Sequence, residues 1–136
     1  MACAAMAKPI STVWLAQYGV VNDGPGIEMP HAELKYSTDL DIDPNEILAE
    51  IETVILEHDT DAGDCKGRGY PTSHYHHSHI HVSVALLAKA HRDEKFFKAL
   101  SGALETRIKQ MIPIPCYFSL GLEILPALYV AGPYEP

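Results

Sequence analysis

The sequence predicts one α+β domain: two strand–helix–strand halves, in the order β-α-β-β-α-β, forming a single sheet with both helices on one face. Three observations predict it. Two stretches carry apolar residues at helical spacing, each opened by an aspartate suited to cap a helix. Runs in which apolar and polar side chains strictly alternate stand before and after them. Glycine and proline breakers separate the runs, and 136 residues suit one domain.

The first strand is Met29-Pro30-His31-Ala32-Glu33-Leu34-Lys35-Tyr36, with Ala32, Leu34 and Tyr36 on one side and His31, Glu33 and Lys35 on the other. Ser37-Thr38-Asp39 ends it. Asp43-Pro44-Asn45-Glu46 then opens a helix: Asp43 caps, Pro44 suits the first helical position, and Glu46 stands where a capping box needs it. Ile47, Leu48, Ile51, Val54 and Ile55 make its apolar stripe, and Asp59 to Gly63 stops it. The following loop, Asp64 to Pro71, sets Arg68 between two glycines, and Lys66 to Tyr75 can supply a short extra strand. His74 to Leu87 reads as a long strand, alternating Ile80, Val82, Val84 and Leu86 with His79, His81, Ser83 and Ala85. Asp93 or a neighbour caps the second helix, whose buried face is Phe96, Phe97, Leu100, Ala103, Leu104, Ile108 and Met111. Pro113 and Pro115 end it. Cys116 to Ile124 is the last strand, and residues 127–136 form a tail with two tyrosines. A sheet with helices on one face leaves the other face to be covered, so association of copies is expected.

Composition narrows the function. Ten Lys and Arg against 18 Asp and Glu give a net charge of -8, which supplies no basic stripe for nucleic acid but leaves room for a small anion held by one or two local cations. Cys3, Cys65 and Cys116 are odd in number and widely spaced, the usage of a cytoplasmic chain with free thiols. No apolar run is long enough to span a bilayer, so no membrane partner is expected.

Residues 1–28 read as an N-terminal extension: either translated upstream sequence with the real start at Met29, or an arm that packs on the domain. Asn22-Asp23-Gly24-Pro25-Gly26 breaks it from the domain, leaving Ile27 as its last independent position. The choice matters chemically. Were Met29 the start and then trimmed, Pro30 would carry a secondary amine with a lone pair. Within a longer chain the same nitrogen is a planar, non-basic amide.

Met29-Pro30-His31 at the head of the first strand, the Lys66-Gly67-Arg68 loop, His79-Ile80-His81-Val82-Ser83-Val84 followed by Arg92 and its helix, and Ser119-Leu120-Gly121-Leu122-Glu123-Ile124 before Leu125-Pro126 together resemble the tautomerase superfamily. Within it, the chain is most similar to the 5-carboxymethyl-2-hydroxymuconate isomerases, over residues 29–126. The resemblance implies a cofactor-free isomerase, active in the breakdown of aromatic compounds and assembled as a homotrimer. Pro30 would be the base, moving a proton between carbons of a 2-hydroxy- or 2-oxo-dienoate. Lys66, Arg68 and Arg92 would hold the substrate carboxylates, with His91 as the alternative to Arg92 at the turn.

The chemistry wants these groups. Moving a proton between carbons is served by a base half free at neutral pH. An α-amine starts at about 8 and is lowered by burial and nearby cations. The same cations can bind carboxylate and stabilise a developing dienolate. Plainer readings stand beside these: Pro30 as a loop proline, Arg68 as a solvated loop charge, Lys66 as a surface residue, and Arg92 as a surface residue at a helix start. A blocked Pro30 would leave a non-enzymatic oligomeric binding protein. His74, His76, His77, His79 and His81 crowd eight positions, and His77, His79 and His81 would share one strand face. That is either a polar seam or a metal-binding module, although no Asp, Glu or Cys at close ligand spacing completes a metal site.

Overall fold

The computed structural model describes residues 28–136; the expected extension, apart from Glu28, lies outside the described residues. The elements are β1 (His31–Ser37), a 3-10 turn (Thr38–Leu40), α1 (Pro44–His58), β2 (Lys66–Thr72), β3 (His79–Leu86), α2 (Glu94–Lys109) and β4 (Tyr117–Ile124). This is the expected β-α-β-β-α-β order. The sheet runs β2-β1-β3-β4. β1 pairs parallel with β2 and antiparallel with β3, and β3 pairs parallel with β4, so each helix is the crossover of one parallel pair.

Local chemistry explains the helices. The Asp43 carboxylate accepts from the Asn45 and Glu46 N–H groups, and Pro44 occupies the first turn. Asp93 does the same for α2 through the Phe96 N–H at 2.8 Å. Ile47, Ile51, Val54 and Ile55 from α1 meet Phe97, Leu100, Leu104 and Ile108 from α2 over Ala32, Leu34, Ile80, Val82 and Val84 of the sheet, one continuous core. Edge strand β2 lies close under α1 because it presents glycine there: a Cβ on Gly67 would stand 2.7 Å from Leu48 Cδ2. The two glycines face the helix, and Arg68 between them faces outward.

Two expectations are revised. The segment 66–75 is a full strand over Lys66–Thr72, since pairing along β1 satisfies its backbone from His31↔Lys66 to Ser37↔Thr72. The third strand starts at His79, not His74. Thr72 Oγ1 bonds the His74 backbone in both directions, turning the chain, and His77 is left-handed at φ 67°. His77 therefore leaves the strand and does not share a face with His79 and His81. The sheet face away from the helices carries polar side chains, among them His31, Glu33, Arg68, His81, Ser83 and Ser119. Among the described residues no helix is long and apolar enough to cross a membrane.

Candidate active site

Pro30 is buried immediately before β1, and its carbonyl accepts the Lys66 N–H at 2.8 Å, the contact that starts the β1–β2 ladder. Pairing then sets His31 beside Lys66 and Glu33 beside Arg68 on the outer face. Arg68 Nε lies 3.4 Å from the Glu33 carboxylate, and its Nη1 donates to the Lys66 carbonyl at 3.3 Å. Arg68 Nη2 lies 3.1 Å from His31 Nδ1, His31 Nε2 lies 2.8 Å from the Tyr129 hydroxyl, and that hydroxyl donates to the Met29 carbonyl at 3.1 Å.

The proton positions follow from the partners. Burial first, then the Arg68 charge, lowers the His31 pKa from its ordinary value of 6.5 against the opposing pull of Glu33, so the ring is neutral at pH 7. Arginine only donates, so Nδ1 accepts and Nε2 carries the hydrogen that reaches Tyr129. One directed chain, Arg68 to His31 to Tyr129, ends on the carbonyl of the Met29–Pro30 peptide. That is the bond whose nitrogen the proposed chemistry requires. The Lys66 side chain is exposed on the same edge.

Arg92 is placed differently. It is not the helix-start surface residue its position suggests: its side chain is fully buried. Its Nε donates to Asp59 at 2.9 Å, Nη2 lies 2.8 Å from the same carboxylate, and Nη1 donates to the Leu87 carbonyl at 2.9 Å. Nη1 and Nη2 together grip the two oxygens of Glu28. Glu28 is itself buried at 3% exposure, and its Oε2 also accepts the Leu87 N–H at 3.2 Å. A cation before a helix is unfavourable unless anions meet it, and Glu28 and Asp59 are those anions. Burial alone would lower the Arg92 pKa; the two carboxylates more than reverse that. Burial would likewise raise Asp59, yet hydrogen bonds from His91, at 2.6 Å, and Arg92 hold it below the usual carboxylate range. Of the two basic residues at the turn, Arg92 thus faces inward and His91 is half exposed.

Sequence reasoning gave no site role to Glu28 or Asp59, named His31 only as part of the first strand, and noted Tyr129 only as a tail tyrosine. Glu28 fell in the presumed extension and Asp59 was read as a helix stop. The signal available for Tyr129 was an aromatic residue with a polar end in an otherwise structureless tail. Cysteine chemistry is not offered beside this edge: burial, then Glu52, pushes the Cys65 thiol up to about 12. In the histidine-rich segment, His79 Nδ1 bonds the His77 carbonyl and His81 Nδ1 bonds Ser119 at 2.6 Å. Among the described residues no group of three or more His, Cys, Asp or Glu is placed to hold a metal ion.

The β-α-β-β-α-β order and the sheet order β2-β1-β3-β4 define a tautomerase-like fold. Among solved structures, the chain is similar to a 5-carboxymethyl-2-hydroxymuconate isomerase from Deinococcus radiodurans R1, with a TM-score of 0.58 and 20% identity, over 79% of this chain and 91% of that one. It is also similar to a 5-carboxymethyl-2-hydroxymuconate delta-isomerase, with a TM-score of 0.51 and 17% identity, over 76% and 87%. At these identities the likeness is one of fold. No protein-family model and no curated protein matches the sequence.

Proposed function

We propose that this chain is a cofactor-free isomerase that moves a proton within an unsaturated 2-hydroxy or 2-oxo carboxylate of the 5-carboxymethyl-2-hydroxymuconate kind. The observation that carries the reading is Pro30 itself. It is buried at the head of β1, in a fold shared with isomerases of that name, at the end of a hydrogen-bonded chain that runs from a guanidinium through a neutral imidazole to a phenol on its peptide bond. With residues up to Met29 removed, the Pro30 amine becomes the base. Its buried position and the Arg68 charge both favour the neutral, proton-accepting form. Tyr129 then loses the Met29 carbonyl and its hydroxyl is released beside that amine, positioned by His31. Arg68 and Lys66 hold a substrate carboxylate on the exposed edge, and Arg92 serves a second carboxylate from inside. Copies associate as a homotrimer through the polar sheet face.

The test compares protein starting at Pro30 with protein starting at Met1, following ketonisation of phenylenolpyruvate by ultraviolet absorbance. Activity only in the Pro30 form is expected. Equal activity in both forms, with the longer chain proved intact by mass spectrometry, would sink the base. In the active form, Arg68→Ala should raise KM by about tenfold to a hundredfold, the value of one charged hydrogen bond. A second reading, a binding protein of the same fold without catalysis, is favoured by the burial of Glu28, which ties the chain two positions ahead of Pro30 into the domain. Inactivity of the Pro30 form would support it.

A further inference from the structure

Removing residues up to Met29 would do more than free a nitrogen. Glu28 lies two positions before Pro30, its side chain is 1% exposed, and its backbone passes close against Gly63. A Cβ on Gly63 would stand 2.0 Å from the Glu28 carbonyl oxygen, so that glycine leaves room for Glu28 alone. Three donors converge on the carboxylate: Arg92 Nη1, Arg92 Nη2 and the Leu87 N–H. Arg92 and Asp59 form a one-to-one pair without Glu28, and Glu28 adds a second carboxylate to a single guanidinium, so the position is made by the geometry of its donors and not by an excess of positive charge. With Glu28 absent, the Arg92–Asp59 pair and the Nη1 bond to the Leu87 carbonyl stay, while the Leu87 N–H and the remaining hydrogens of Nη1 and Nη2 are left pointing at one empty carboxylate position. Buried N–H groups left unmet are costly, so the position favours a new carboxylate.

We propose that Arg92 and the Leu87 N–H form a seat for a single carboxylate, that Glu28 occupies it as an internal ligand, and that a carboxylate of the substrate takes its place once residues up to Met29 are gone. The inference rests on the isomerase reading for the identity of its ligand. One cut ahead of Pro30 would then unmask both the base and an anion subsite, and an uncut chain would be closed twice over. The fork of the guanidinium selects a planar carboxylate over a compact halide.

The probe is cis,cis-muconate, an unsaturated dicarboxylate with no 2-hydroxyl to isomerise, titrated by calorimetry, with its dimethyl ester as control. The full chain, full-length Glu28→Ala and the protein starting at Pro30 are compared. Glu28→Ala keeps Pro30 as an amide, so it reports the seat without the base. Muconate should bind both Glu28→Ala and the Pro30 form at least about tenfold more tightly than the full chain, since an internal occupant reduces apparent affinity by the unoccupied fraction. The ester should bind none of them. Equal muconate affinity in the full chain and the Glu28-free forms overturns the seat. Should Glu28→Ala fail to fold, the Pro30 form decides by the same criterion. The two ideas fail separately. A Pro30 form that ketonises phenylenolpyruvate, without any gain in muconate binding over the full chain, keeps the base and discards the seat. A gain in Glu28→Ala, with no proton transfer in the Pro30 form, keeps the seat and discards the base.

Discussion

The two ends of the sheet carry charged and titratable groups in opposite ways. At the β1 start, beside the end of β3, Glu28, Asp59 and Arg92 are buried together, and Arg68, His31 and Tyr129 form a directed chain. At the other end, where β3 and β4 begin, histidines are dense in sequence and mostly exposed, and although the His76 and His77 rings lie 4.1 Å apart they form no cluster with a third ligand among the described residues. His77, Ser78, Pro115, Cys116 and Tyr117 line a shallow cavity of about 340 Å³ there. Asp39, which bonds Ser78, is open to solvent at this end, whereas Asp59 is closed in. The contrast teaches that crowding along the chain is a poor guide to chemistry. Convergence in a dry place, with few waters to screen the charges, makes a guanidinium or a carboxylate consequential.

Substitutions at the two ends should differ most for Arg92. Arg92→Met leaves Glu28 and Asp59 buried without their cation and should cost about 3–5 kcal/mol in urea unfolding. A cost below about 1 kcal/mol would erase the distinction drawn between the ends. Next comes the glycine that seats Glu28. Gly63→Ala must displace the Glu28 backbone and should cost about 1–3 kcal/mol. Gly121→Ala meets nothing within 4 Å and should change stability by no more than about 0.5 kcal/mol.

The acid limb should draw on both ends, because hydrogen bonds from Ser78 and Ser37 also hold Asp39 below the usual carboxylate range, with Asp59 as the buried contributor. The Asp59 pKa lies below its ordinary 3.8, so between the folded and unfolded values the unfolded chain binds more protons and stability rises with pH. That stability is fully present above about 4 and is lost as pH falls through the folded value. Asp59→Asn should flatten the acid limb of the melting-temperature profile. The smallest effect belongs to the histidine end: His77→Ala should leave stability within about 0.5 kcal/mol, and a larger loss would show a structural role for the left-handed turn.

Much of the fold was legible in local patterns. Alternation placed Ala32, Leu34, Ile80, Val82 and Val84 inward, and Asp43 and Asp93 marked the two helix starts, because these signals act within a few residues of the chain. The β2 strand was less legible: Lys-Gly-Arg-Gly has no strand pattern, and it is extended because β1 offers it a complete ladder. His74 to Ser78 misled in the other direction, since polar alternation continued past the point where the Thr72 side chain turns the backbone.

The candidate site divides in the same way. Sequence alone determined the residue types, a proline heading a strand and basic residues at Lys66, Arg68 and Arg92. Tertiary structure alone decided that Arg92 faces inward to Glu28 and Asp59, 64 and 33 residues away, and that Tyr129 returns 98 residues to His31. The physical reason is that burial and charge pairing between distant segments are set only when the chain closes on itself, and no local periodicity encodes which carboxylate a guanidinium will meet.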